Sequence, residues 1–269
     1  MSDQFISIDG VRIHVSVSGQ GKPLMLIHGL GGPLMWQKVV EPLSSHFQII
    51  MIDLPGFGDS EGPKRNYSVA EHADVCKQAL HHLGLESASL AGISYGGQIA
   101  ATFASLYPEM IEKLILSCCT GLMKPPLIVS NPVLRIVFSF IAKHFLLKNE
   151  KNLCKKGARS FYNIANRPPD LCKNFFVQLS KPGHRDAWLN GVINTFSGGE
   201  EFKQLLAKIS APALILWGEN DNTVPPEHAL EFHRLIPSSQ VHTFKECAHS
   251  VPLEKAEDMC EMVTSFLRP

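Results

Sequence analysis

The rhythm of apolar positions changes twice along this chain. The opening SIDGVRIHV alternates apolar and polar residues on both sides of Asp9-Gly10, a dipeptide suited to the positive φ angles of a tight turn, and predicts an antiparallel hairpin. From Leu24 onward the alternation stops. Short unbroken apolar runs, Leu24 to Ile27, Ile49 to Ile52, Ser89 to Gly92 and Leu114 to Ser117, are separated by longer stretches with helical spacing, among them Val69 to Leu83 and Gln98 to Tyr107. Strands that are apolar on both faces and alternate with helices predict a mainly parallel sheet covered on both sides.

Between Gly121 and about Gly199 the strand signal vanishes. The segment reads as helical and irregular, punctuated by Pro125-Pro126, Pro168-Pro169 and Ser197-Gly198-Gly199. Strand and helix then return with Ala213 to Trp217, a helix start at Pro225-Pro226, Val241 to Phe244, and a last helix from about Pro252 to Leu267. This order predicts an α/β core from residues 1–120 and 200–269, with residues 121–199 inserted as a helical cap.

Within that cap, LIVSNPVLRIVFSFIAKHFLL (residues 127–147) approaches the length of a membrane span, but Pro132, Arg135, Lys143 and His144 interrupt it. Leu134, Val137, Phe138, Ile141 and Phe145 fall on one face of a helix. The expectation is a helix over an apolar cleft, with most of these residues packed onto the core and a minority lining a pocket, and no stable membrane anchor.

Composition narrows the function. The 269 residues, 45% of them hydrophobic, suffice for one catalytic domain, and equal totals of 25 basic and 25 acidic residues give no reason to expect nucleic acid or an anionic membrane as a partner. Specificity is expected in a local pocket for a small molecule, with homo-oligomerisation left open. The opening residues lack the pattern of a secretory signal, which points to the cytoplasm. The seven cysteines, including Cys118, Cys119, Cys154 and Cys172, show neither Cys-x-x-Cys pairing nor zinc-type spacing with histidine, and read as reduced, mostly buried thiols.

The chemistry is carried by Gly92-Ile93-Ser94-Tyr95-Gly96-Gly97, a G-x-S-x-G pattern set between a predicted strand and a predicted helix. Such a turn holds its serine in a strained conformation, and Gly92 and Gly96 leave room for strand and helix to approach. The run Leu24 to Ile27 ends in His28-Gly29-Leu30-Gly31-Gly32, whose backbone can direct N–H groups into a cleft; the N–H groups of Leu30 and Tyr95 are the candidates for an oxyanion hole, their side chains staying free to shape the pocket. His28 reads as a residue that fixes this loop.

Chain order of nucleophile, acid and base leaves His228, His233, His242 and His249 for the base. Only His249 lies in a loop after a predicted strand, where open α/β sheets carry their chemistry. For the acid, Asp221 follows the strand Ala213 to Trp217, with Glu219 as the local competitor; Cys118-Cys119-Thr120, after the preceding strand, offers no carboxylate. Ser94 as nucleophile, His249 as base and Asp221 as its orienter need no metal and no organic cofactor. Phe138, Ile141, Arg185, Trp188 and Val251 are the candidate pocket residues.

These motifs, with DLPGFGDS (53–60), WGENDNTVP (217–225) and CAHSVPLE (247–254), resemble the α/β-hydrolase superfamily over nearly the whole chain. The resemblance implies an eight-stranded, mainly parallel sheet with a helical cap, and gives Asp53 and Ser60 a structural role beside the site. Ser94 stands where dehalogenases and epoxide hydrolases have aspartate. A serine carboxylesterase acting on a small or medium acyl group through an acyl-enzyme is the leading expectation. The alternatives are a carbon-carbon bond hydrolase of a dienoate-type ring-fission product or a thioesterase, and beyond them a non-catalytic ligand-binding member of the fold. Carbon-carbon hydrolases typically have Trp after the catalytic histidine, where this chain has Ser250. Arg185 fits their cap arginine. The basic residues Lys143, Lys148, Lys151, Lys155, Lys156 and Arg159 resemble the basic cap surface of the esterase that acts on a carrier-protein thioester in biotin synthesis, or form a solvated helix face.

Overall fold

Residues 2–268 are described by a computed structural model, in which the apolar runs become the strands of one eight-stranded sheet. The strands are β1 (Ser2–Ile8), β2 (Val11–Ser18), β3 (Pro23–Ile27), β4 (Gln48–Ile52), β5 (Ala88–Ile93), β6 (Ile111–Ser117), β7 (Ala213–Gly218) and β8 (Ser239–Phe244), in the order β1-β2-β4-β3-β5-β6-β7-β8. The hairpin forms at Asp9-Gly10, both with positive φ, and β2 also runs antiparallel to β4. All other pairs are parallel. The sequence pattern follows from this arrangement, because β5 and β7 are buried along their whole length whereas the edge strand β1 alternates.

The helices are α1 (Val40–Ser44), α2 (Val69–His82), α3 (Tyr95–Leu106), α4 (Leu127–Ser130), α5 (Pro132–Ile141), α6 (Glu150–Gly157), α7 (Leu171–Leu179), α8 (His184–Asn194), α9 (Gly199–Leu206), α10 (His228–Leu235), α11 (Val251–Glu254) and α12 (Ala256–Leu267). Helix α2 begins with a capping box, in which Ser68 and Glu71 satisfy each other's backbone N–H groups. The expected last helix is divided in two at Lys255, whose ψ of 44° leaves the helical range.

Between β6 and β7 the chain forms the helices α4 to α9, joined by turns and irregular stretches, and no strand. Helix α5 departs from expectation. Its apolar residues do not pack onto the core: Val133, Ile136 and Phe140 are 60–69% exposed, and no residue of the helix is fully buried. A single α-helical seam does not run on to Phe145 either, because residues Ala142–Leu146 form a π-helical turn. The inner side of this segment presents Phe138, Ala142, Leu146 and Leu147 to a small second core with Leu153, Leu179 and Leu189.

The cysteine expectation is corrected at one pair. Cys154 on α6 and Cys172 on α7 form a disulfide that joins the two helices, 18 residues apart in sequence. Neither Cys-x-x-Cys spacing nor a second pair marks it, and only tertiary packing brings the two together. Cys76, Cys118, Cys119, Cys247 and Cys260 are free and buried. Among the described residues no helix is long and apolar enough to cross a membrane.

Candidate active site

Strand β5 ends at Ile93, and α3 begins at Tyr95, so the whole reversal of the chain falls on Ser94. Its backbone is held at φ 57° and ψ −120°, a region that L-residues rarely occupy. The strain is held by hydrogen bonds on both sides: Ser94 N–H donates to Ser117 O at 2.9 Å, and Ser94 O accepts from Gly97 and Thr120 N–H. A side chain on Gly92 would strike the Gly96 carbonyl, and one on Gly96 would strike the carbonyls of Ile27 and His28. Gly29 faces Ser94 itself, where an added Cβ would lie 2.9 Å from the serine Cβ.

His28, fully buried at the end of β3, uses both ring nitrogens in the loop: Nδ1 bonds Gly29 O at 2.7 Å, and Nε2 accepts the Leu54 N–H at 3.1 Å. That pattern requires a neutral imidazole with its proton on Nδ1, and burial lowers its pKa accordingly. The loop thus fixed places Leu30 and Gly31 against the same cavity as Ser94. Tyr95 stands at the first position of α3, where a backbone N–H has no acceptor within the helix.

The Tyr95 side chain is not part of the pocket, contrary to expectation. It is buried, and its hydroxyl accepts from Asn194 Nδ2 at 2.8 Å; the same amide group reaches Tyr67 O at 2.7 Å. Tyr95 therefore ties the turn at Ser94 to α8. Gln98 on α3 adds a second tie, donating to Asn194 O while accepting from Thr120 Oγ1.

The carboxylate and imidazole meet across β7 and β8. Asp221 Oδ2 lies 2.7 Å from His249 Nδ1, and Oδ1 accepts the N–H groups of Thr223 and Val224 at 2.8 and 2.9 Å. Both residues are buried. His249 shares the cavity wall with Ser94, Asn222, Thr223 and Ser250. Glu219 faces Thr243 on β8, while His228 and His233 lie on α10 and His242 lies in β8. Cys118 has ligand atoms within 4.8 Å of those of Asp221 and His249, but burial pushes its thiol pKa well up, so it stands there as a neutral thiol.

The cavity measures about 450 Å³, within the range of small-molecule sites. Its walls are mostly apolar, with Met35, Phe138, Leu146, Phe175 and Trp188 among them. Trp188 is anchored by its Nε1–H to Leu30 O at 3.2 Å. Of the five candidate pocket residues, Phe138 and Trp188 line this space and three do not. Ile141 lies on the exposed side of α5, Val251 is buried in the main core, and Arg185 turns toward Ser180 Oγ at 3.4 Å. The cations on the wall are instead Lys156, Arg159 and Arg167. Helical periodicity gave no sign of these: Lys156 lies in the last turn of α6, Arg159 in the short 3-10 turn after it, and Arg167 in the loop before α7.

Asp53 and Ser60 form the neighbouring loop. Asp53 Oδ2 accepts from Asp59 N–H and lies 2.9 Å from His14 Nδ1, and Ser60 Oγ donates to Asp53 O. Neither residue lines the cavity.

An eight-stranded sheet with a serine at a sharp strand-to-helix turn, and an Asp–His pair on the following strand ends, defines the class of the α/β hydrolases. The family model for the alpha/beta hydrolase fold matches residues 22–256, and the chain belongs to that family. An uncharacterized hydrolase from Bacillus subtilis is 29% identical over 97% of this chain and 96% of its own length. A 2-hydroxy-6-oxononadienedioate/2-hydroxy-6-oxononatrienedioate hydrolase from Burkholderia vietnamiensis is 30% identical, covering 96% of this chain and 91% of the relative. In structure, the enol-lactonase from Burkholderia xenovorans superposes with a TM-score of 0.86 at 20% identity, covering 98% and 99% of the two chains.

Proposed function

We propose that the protein is a serine hydrolase in which Ser94 attacks a carbonyl carbon, with the helical segment of residues 121–199 capping the pocket. The observation that carries this reading is the 2.7 Å contact of Asp221 with His249, whose imidazole lines the cavity that also exposes Ser94. With Nδ1 engaged by Asp221, Nε2 of His249 is the nitrogen that takes the serine proton and later returns it to the leaving group. The N–H groups of Leu30 and Tyr95 stabilise the oxyanion.

For the bond cleaved, the relatives favour the carbon-carbon bond of a dienoate-type ring-fission product over an ester, the Burkholderia vietnamiensis hydrolase among them. Lys156, Arg159 and Arg167 in an otherwise apolar wall give the carboxylate of such a substrate a counter-charge. A carboxylic ester with an apolar acyl group is the second reading, favoured by the largely apolar cavity and by Ser250 on its wall. A panel of 2-hydroxy-6-oxo-dienoates, p-nitrophenyl esters and acyl thioesters tests the choice. At least tenfold higher kcat/KM on the dienoates supports the first reading, and the reverse order selects the ester.

A further inference from the structure

Twelve of the fifteen exposed large apolar side chains among the described residues lie between β6 and β7, and nine of them fall between Leu127 and Phe145. Helix α4, with Leu127 and Ile128 exposed, packs against α5, whose Val133, Ile136, Val137 and Phe140 recur at helical spacing on the outer face. Soluble monomers rarely keep so much adjoining apolar surface in water. The opposite side of the same segment, through Phe138, Ala142 and Leu146, lines the cavity that holds Ser94.

Charge is distributed to match. The whole chain is neutral, yet residues 124–159 hold eight Lys and Arg against the single acid Glu150, leaving the remainder with 17 basic and 24 acidic residues. Lys143 is engaged by Asp186 at 2.7 Å, but Lys148, Lys151, Lys155 and Lys156 are exposed with no carboxylate partner among the described residues.

We propose that this face is a docking surface for an anionic phospholipid bilayer, with α4 and α5 lying in the plane of the interface and the basic residues after Phe145 meeting the head groups. Two short helices cannot span the hydrocarbon, but an apolar face beside a lysine cluster matches the energetics of interfacial binding. A second copy of the chain answers the apolar face less well, because self-association there would crowd two clusters of the same sign. The proposal rests on the surface and not on the reading of the pocket; if that reading also holds, docking brings the cavity next to a source of apolar substrate.

Co-sedimentation with vesicles tests it, using phosphatidylcholine alone and phosphatidylcholine with phosphatidylglycerol at about 7:3. The expected result is roughly tenfold stronger binding to the mixed vesicles, reduced several-fold by high salt. Ile136→Glu with Phe140→Glu should abolish binding while leaving the melting temperature unchanged, with Ile136→Ser and Phe140→Ser as a milder pair should the first fail to fold. Lys148→Glu with Lys151→Glu and Lys155→Glu should remove the preference for phosphatidylglycerol. Wild-type protein that stays in the supernatant with both vesicles overturns the proposal. So does binding that survives the apolar substitutions in folded protein, or a dimer in sedimentation velocity that they dissolve while no vesicle binding is seen.

Discussion

The Asp221 carboxylate is divided between two partners: Oδ2 holds His249 Nδ1 at 2.7 Å, and Oδ1 holds the N–H groups of Thr223 and Val224. One oxygen fixes the acid in its loop and the other fixes the imidazole. Asp221→Asn keeps the shape and the backbone bonds but presents an N–H to Nδ1, forcing the proton onto Nε2, where a base is needed. A fall in kcat of about 10³–10⁴ is expected with an unchanged melting temperature, checked by steady-state kinetics and thermal unfolding.

Gly96 lies against the carbonyls of Ile27 and His28, so Gly96→Ala must push strand and helix apart at the turn that carries Ser94. A loss of about 1–3 kcal/mol in urea unfolding and a much larger loss of activity are expected. Gly157→Ala is the control. An added Cβ there meets nothing within 4 Å, and stability in urea should be unchanged or slightly higher.

His72 on α2 is buried between Tyr67 and Tyr95, and burial lowers its pKa from 6.5 to about 3. The unfolded chain binds this proton below pH 6.5 and the native state does not, so stability is lost as pH falls from 6.5 toward 3. His28 is also lowered and acts in the same sense. His14, raised chiefly by its hydrogen bond with Asp53, acts in the opposite sense: its contribution is complete below pH 6.5 and disappears as pH rises through the higher folded value. Urea unfolding at pH 7.5 and 5 should show a smaller loss of stability for His72→Leu than for wild type, by about 1–2 kcal/mol.

Trp188 joins the helical insertion to the His28–Gly32 loop through its Nε1–H bond to Leu30 O, and its ring lines the cavity. Trp188→Ala removes both apolar wall and anchor. KM for short acyl substrates should rise about tenfold, with tolerance shifting toward longer chains, as read from kcat and KM across a chain-length series.

The core of the fold was legible because strands buried on both faces must be apolar without interruption, as in Ala213–Gly218, and the Asp9-Gly10 turn has few alternatives. The placement of Ser94 at a strained turn was legible because such a turn needs glycines around it, and the pairing of Asp221 with His249 because loop placement separated His249 from the other three histidines that follow Asp221. The segment between β6 and β7 was much less legible. Periodicity showed that α5 has an apolar face but not whether protein or solvent lies against it, and Ile141 was misplaced for that reason. Arg185, Val251 and the Cys154–Cys172 pair depend on long-range packing that no local spacing encodes.

Labelling with a fluorophosphonate, followed by mass spectrometry of the peptide that contains Ser94, tests the central claim most directly. One adduct on Ser94 is expected in wild type, none in Ser94→Ala, and strongly slowed labelling in His249→Ala. Undiminished labelling or hydrolysis in Ser94→Ala would contradict it.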